Sequence, residues 1–277
     1  MKSILEGRPA LKAEIEKIAE VAGYLWQNGW AERNGGNITV NVTEFVDDEM
    51  RQLPAISDVK QIGVTLPALK GCYFYCKGTG KRMRDLARWP MQNGSVIRIL
   101  DDCASYVIIA DEAVMPTSEL PSHLMNHEVK KAVSGGKHRV IYHAHTTNVI
   151  ALTFVLPLKD EVFTRELWEM ATECPVVFPS GIGVVEWMVP GGRDIAVATS
   201  ELMKHYDVAI WAHHGMFCSG EDFDLTFGLM HTVEKSAEIL VKTLSMRPDK
   251  LQTITAQNFR DLARDFHVEL PEKFLFD

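Results

Sequence analysis

The stretch IYHAHTTN, residues 141–148, follows Arg139 and Val140 and runs from apolar into polar sequence. RVIYHAH reads as a buried strand. On a strand, residues i and i+2 project from the same face, so His143 and His145 share one. Two imidazoles side by side suit one divalent ion. Catalytic zinc sites take three protein ligands and keep a fourth position open, so a third ligand must come from elsewhere. WAHHGMF, residues 211–217, offers His213 and His214 at the end of a second apolar run. Strand neighbours face opposite ways, so one of these two should reach the ion. Two structural histidine pairs are the alternative, and the second pair, followed by glycine, favours the metal.

The segments around these strands alternate between two kinds. Leu11, Ile15, Ile18, Ala22 and Leu25 step by three and four, as on an amphipathic helix, with Asn28-Gly29 as its stop. NITVNV (37–42), GCYFYC (71–76), VIRIL, YVIIA, VVF (176–178), IGVVEWMV (182–189) and VAIWAHH read as strands. Helices are expected over about 119–133, in EVFTRELWEMAT and DIAVATSELMKHY, along the stripe Leu229 to Leu244, and near 255–266. Residues 45–70 read mostly as loop. No repeat or linker divides the chain, so residues 1–277 are expected to form one layered α/β domain, with helices covering a mixed sheet.

Composition narrows the function. The chain has 277 residues, 46% hydrophobic and 24% charged, an ordinary globular balance with enough length for a sizeable core. A net charge of -8 argues against a nucleic-acid surface but allows an anionic small molecule held by local donors. Five cysteines, an odd number without CxxC, fit reduced thiols in the cytoplasm. The N-terminus turns charged too early for a signal peptide. The longest apolar run, VIALTFVLPL, is too short to span a bilayer, so no membrane is expected.

Several further motifs bear chemistry. In ERNGGNIT (32–39), Gly35 and Gly36 permit close backbone approach, and Asn34 and Asn37 add amide donors. Alone this reads as a tight turn, with an anion cradle as the alternative. KGTGK (77–81) lacks the spacing of a Walker loop and also reads as a turn, although Thr79 and Gly80 offer a hydroxyl and N–H groups. In PTSELP (116–121), Ser118 is the expected N-cap of a helix with Glu119 in its first turn. Glu119 there either complements the dipole or serves as a carboxylate beside a bound anion and a metal, poised as acid/base. His123 and His127, four apart, read as helix-surface or packing residues; His138, His205, His231 and His267 stand isolated. Glu169 and Glu173 read as helix-surface carboxylates. No lysine stands in an obvious apolar slot, which sets a Schiff-base mechanism aside.

NGGN, GTG, TSE, HAH and HHG, in that order, resemble the class II aldolase/adducin family. Within it the chain is similar to the ketose-1-phosphate aldolases, through ERNGGNIT, TSELP, IALTFVL, FTRELWE, TECPVVFP, GIGVVEWMVPG and FGLMHTVEKSA. The likeness covers nearly the whole chain and is weakest at 1–12, 43–70 and 246–277. It implies a three-layer α/β/α sandwich with a mixed, largely antiparallel sheet, assembled as a homotetramer. It implies one zinc ion per subunit on His143, His145 and His214, with Glu119 as catalytic acid/base. The phosphate of a sugar-phosphate substrate would sit among Asn34, Gly36, Asn37, Thr79, Gly80, Thr117 and Ser118. Where Thr79 stands the family often has serine, and the hydroxyl is kept. Glu173 matches a catalytic glutamate offered to a neighbouring subunit's site.

The implied reaction is reversible cleavage of the C3–C4 bond of a ketose 1-phosphate, which leaves negative charge on dihydroxyacetone phosphate. Other family chemistries, on fuculose 1-phosphate or by 4-epimerisation of a pentulose 5-phosphate, are the near alternatives. An adducin-like binding module is a different one, and the intact HAH speaks against it. A zinc hydrolase lacks its further carboxylate and lysine ligands here.

Overall fold

The strand that carries His143 lies inside the sheet, with a partner on each edge. In the computed structural model, which describes residues 3–276, nine strands form one sheet: β1 (Asn37–Asn41), β2 (Lys60–Gln61), β3 (Tyr73–Lys77), β4 (Gly94–Ile99), β5 (Ser105–Ile108), β6 (Val140–Ala144), β7 (Gly183–Val185), β8 (Val208–Trp211) and β9 (Gly215–Gly220). Their order is β2-β5-β4-β3-β1-β6-β9-β8-β7. Only β7 and β8 pair in parallel; the other neighbours are antiparallel. The register sets Asn37 opposite His143 on one side and Phe217 opposite it on the other.

Helices cover both faces, which makes a three-layer α/β/α sandwich. Alternation along β6 divides its side chains: Val140, Tyr142 and Ala144 enter one core with Ile38 and Val40, while Ile141 packs on the other face with Trp211 and Phe217. Helix Pro9–Gln27 buries the expected stripe and ends at Asn28. It shares the first core with the long helix Phe223–Met246, which buries Leu229, Met230, Val233, Ala237 and Leu240. Helices Leu120–Val133 and Arg193–Leu202 cover the opposite face. All five cysteines are free thiols. Among the described residues no helix is long and apolar enough to cross a membrane.

Several local expectations need correction. VVF does not pair: Cys174–Val177 forms one helical turn, with Pro175 at its start, where its fixed φ suits the first turn. Only Gly183–Val185 of IGVVEWMV joins the sheet, and Trp187 and Val189 beyond it are exposed. The segment after His214, read with no strand, is β9. Within the region 45–70, which is mostly loop, Asp47 caps a turn at Asp48–Arg51 through the Met50 amide, and β2 pairs with β5.

His123 and His127 are packing residues, not surface ones. Their helix lies on the sheet, so positions four apart both point inward, at 0% and 2% exposure. The Thr39 hydroxyl sits 2.9 Å from His123 Nδ1 and 2.9 Å from His127 Nε2. A hydroxyl has one proton, so Thr39 donates to one ring and accepts from the other.

Burial drives His127 down to about 3 and holds His123 well below its ordinary range, aided by repulsion from His127 and Lys77. A histidine whose folded pKa lies below its unfolded value excludes a proton from the fold. Its stability is whole above pH 6.5 and is lost as pH falls from there toward 3. In His127→Gln, we expect the acid-side decline of the urea midpoint to flatten by about one proton, roughly 1.4 kcal/mol per pH unit. Parallel wild-type and variant profiles between about pH 6.5 and 4 would contradict this assignment.

Candidate metal and anion site

Three segments converge where β1, β6 and β9 end. His143 is fully buried on β6, and its Nδ1 lies 3.1 Å from the Met216 carbonyl on β9. A carbonyl only accepts, so Nδ1 carries the proton and Nε2 keeps a lone pair. That Nε2 is buried without a hydrogen-bond partner. Burial, then His214 and His145, hold the ring well below its ordinary pKa and so neutral.

His145 lies one residue past the strand. Its backbone N–H donates to the Trp30 carbonyl at 2.9 Å. Its Nδ1 donates to Glu32 Oε1 at 2.6 Å, which leaves Nε2 free. The loop Asn34–Asn37 is packed against the His145 ring and the His143 backbone. A Cβ on Gly35 would stand 2.8 Å from the His145 ring, and one on Gly36, where φ is +71°, 3.1 Å from the His143 carbonyl. The two glycines therefore do more than turn the chain: they let it touch both ligand-bearing positions.

His213 and His214 are not on a strand, because β8 ends at Trp211. They form the turn into β9, so strand alternation does not separate them. His213 adopts φ +61°, and its amide donates to Thr153 Oγ1 at 3.0 Å while its Nδ1 meets the same oxygen at 3.0 Å. His214 turns the other way, into the cluster. Gly215 permits this, since a Cβ there would lie 2.2 Å from the Ala144 carbonyl. Burial, then His145, lowers His214 to about 4.

One further element ties these segments together. The short helix Thr147–Leu152 follows His145 directly. The buried carboxylate of Glu234 accepts from the amides of Asn148 and Val149 and from the Asn148 side chain, at 2.9, 3.0 and 2.9 Å. At the other end, Thr153 holds His213. The helix thus links the two segments that carry the histidines.

One ligand atom from each of His143, His145 and His214 lies within 4.8 Å of the other two. The donor set fits a divalent cation: the rings are held neutral or have a free nitrogen, two carry an acceptor behind the other nitrogen, and one presents a buried, unpartnered Nε2.

Glu119 faces this cluster. Its Oε2 is 3.6 Å from His143 Nε2, and its Oε1 is 4.0 Å from His214 Nε2. Asn37 Nδ2 donates to Oε2 at 2.7 Å. Burial raises the carboxyl pKa; the Asn37 bond, His145 and Lys77 pull it back. The helix begins at Leu120, so the N-cap is Glu119 and not Ser118, and no side chain caps it. Ser118 is instead exposed beside the cavity.

That cavity measures about 130 Å³, and Asn34, Gly36, Asn37, Thr79, Gly80, Thr117 and Ser118 line it together with Glu119, His145 and His214. Two backbone bonds staple its walls: Thr79 N–H to the Met115 carbonyl and Thr117 N–H to the Lys77 carbonyl, both 2.9 Å. Lys77 also lines it, and the sequence reading missed it. A lysine closing an apolar strand just before Gly78-Thr79-Gly80 was the available signal. Its side chain is buried, and desolvation lowers its pKa to about 8, with Glu119 opposing.

Glu173 does not join this site within its own chain. It is exposed on a separate cavity of about 390 Å³ with His231, Thr232 and Lys235. Glu169 is a structural carboxylate, bound by Arg165, Lys250 and Thr253.

Known proteins share this arrangement of sequence and fold. The sequence pattern of the Class II Aldolase and Adducin N-terminal domain matches residues 16–241. The chain is 56% identical to a rhamnulose-1-phosphate aldolase of Bacteroides thetaiotaomicron over 252 residues, covering 90% of this chain and 93% of that protein. It is 46% identical to the rhamnulose-1-phosphate aldolase of Mannheimia succiniciproducens, over 88% and 90% of the two chains. A crystal structure of a sugar-phosphate aldolase from Thermotoga maritima superposes with a TM-score of 0.75 at 27% identity, covering 87% of this chain and 98% of that one. From its sequence, its sheet order and its clustered histidines, the chain belongs to the class II aldolase/adducin family.

Proposed function

We propose that the protein is a zinc-dependent aldolase that reversibly cleaves L-rhamnulose 1-phosphate to dihydroxyacetone phosphate and L-lactaldehyde. The observation that carries the reading is the juxtaposition of three histidine nitrogens and a buried carboxyl beside a cavity rich in N–H, hydroxyl and amide donors. Relatives that share about half their residues with this chain across its length bear the name of that activity.

His143, His145 and His214 would hold the ion, and two of them are already oriented by Met216 and Glu32. When bound, zinc supplies Lewis acidity to the oxygens of the ketose where charge develops. The chain's own groups do the rest. Asn34, Gly36, Asn37, Thr79, Gly80, Thr117 and Ser118 receive the phosphate, and this remote binding energy positions the C3–C4 bond. Glu119 carries the proton that C3 of dihydroxyacetone phosphate must gain after cleavage, and removes it in synthesis. Its environment suits both directions. Burial favours the acid and leaves the pKa raised, while the Asn37 amide, His145 and Lys77 favour the carboxylate. In this reading the single domain works in the cytoplasm as a homotetramer, and Glu173 serves a neighbouring subunit from its exposed position.

Four outcomes test the reading. Release of dihydroxyacetone phosphate from L-rhamnulose 1-phosphate, followed by a coupled assay, should vanish on chelation and return with zinc; full activity in metal-free protein would end the proposal. His143→Ala should bind no stoichiometric zinc and lose nearly all turnover. Glu119→Gln should keep zinc and fold but lose turnover by about a hundredfold or more, and near-normal rates would remove its acid/base role. Gly35→Ala should weaken zinc binding in chelator competition, because the new methyl group displaces the His145 ring; unchanged affinity would show that the loop yields instead.

A further inference from the structure

Glu119 stands at the start of its helix, and no side chain caps that end. Uncapped helix ends fray. The carboxyl nevertheless keeps one oxygen on Asn37 and faces His143. The hold on it lies further along both elements. Asn37 and Thr39 are two apart on β1 and share a face. Glu119, His123 and His127 are four apart and form one stripe along the helix. Two residues of strand advance by about 6.7 Å and four residues of helix by about 6 Å, so the two rows stay in step. Asn37 meets Glu119, and Thr39 meets His123 and His127. The second contact is fully enclosed: Thr39 and both histidines are buried. The His123 ring packs on Phe217 at 5.0 Å and the His127 ring on Phe74 at 4.8 Å. Leu120 and Leu124 add apolar packing on the same face of the sheet. Apolar burial has no direction, whereas a hydrogen bond fixes distance and angle. One hydroxyl bound by two successive turns therefore sets how far the helix slides and rotates on β1.

We propose that Thr39 is a positioning residue for Glu119: through His123 and His127 it fixes the register of the helix on β1, and so the place of the carboxyl beside the histidine cluster. The assignment rests on the acid/base reading of Glu119 above. Thr39 is neither on the cavity wall nor in the cluster, so its effect on the rate passes through another residue.

Three substitutions grade the hydroxyl. Thr39→Val keeps the shape and loses both hydrogen bonds. Thr39→Ser keeps the hydroxyl, and Thr39→Cys puts a weak S–H donor in its place. Zinc content, melting temperature, and KM and kcat on L-rhamnulose 1-phosphate would be measured for each. Amide hydrogen exchange over residues 119–127 would be followed in the metal-free protein. In Thr39→Val, kcat should fall roughly ten- to hundredfold, the cost of a misplaced catalytic group, with KM and zinc content held within about twofold. Serine should stay within about threefold of wild type and cysteine should fall between. Exchange in the first two turns of the helix should quicken by about fivefold or more in Thr39→Val. In a Glu119→Gln background the same substitution should cost less than about twofold, because the residue it positions no longer acts. Wild-type kcat in Thr39→Val would overturn the proposal. So would an undiminished loss of kcat in the Glu119→Gln background, since the effect would then bypass Glu119. If the valine variant does not fold, serine and cysteine decide, and equal kcat in the two would overturn it. Failure of the parent reading looks different: the wild-type protein would cleave no L-rhamnulose 1-phosphate, whatever the exchange of the helix shows.

Discussion

His143 gives the proton on Nδ1 to the Met216 carbonyl, one strand away, and the rest of the site follows from that bond. It leaves Nε2 as a lone pair in a place where no protein donor reaches it. The bond exists because β6 and β9 are neighbours in register, with His143 opposite Phe217 and Ala144 opposite Met216. The Phe217 ring stacks on the imidazole at 4.4 Å and keeps it from turning. The sheet thus fixes both the tautomer and the orientation of one ring, and the loop Asn34–Asn37 and the β8–β9 turn bring their groups to it.

Charge is handled sparingly around that centre. The His143 and His214 imidazoles are kept neutral by burial and by the neighbouring rings. Glu119 and Lys77 are the buried charged groups on the cavity wall, and each moves the other's pKa toward the charged form. Burial works against both. A site built this way responds strongly to an incoming cation or anion, because little solvent is present to screen it.

Much of this was legible in the residues. His143 and His145 announce themselves because strand periodicity is simple and imidazole chemistry is specific. The amphipathic helices follow from spacing, and Leu11 to Leu25 are buried as that spacing requires. What escaped depends on contacts far along the chain. VVF has strand composition, yet Pro175 starts a helical turn there. His214 looks like a strand residue until the left-handed backbone of His213 reverses the chain. His123 and His127 read as surface or packing residues, and only Thr39, 84 and 88 positions away, decides for packing by meeting both. Lys77 looks like the basic edge of a turn; its ammonium is held by the Asn34 carbonyl, 43 residues earlier. Phosphate-type donors such as Thr79 and Ser118 are ordinary residues individually, and only the two backbone staples bring them to one cavity.

The short helix Thr147–Leu152 has a consequence for the economy of metal capture. One end is pinned by three hydrogen bonds to Glu234, and the other grips His213 through Thr153. His145 and His214 are therefore tethered to each other through the six residues of this helix. Most of the ordering that ligation demands has already taken place during folding. An arriving ion meets a receptor whose shape it does not have to create. The free energy of coordination then goes to affinity and not to ordering the chain.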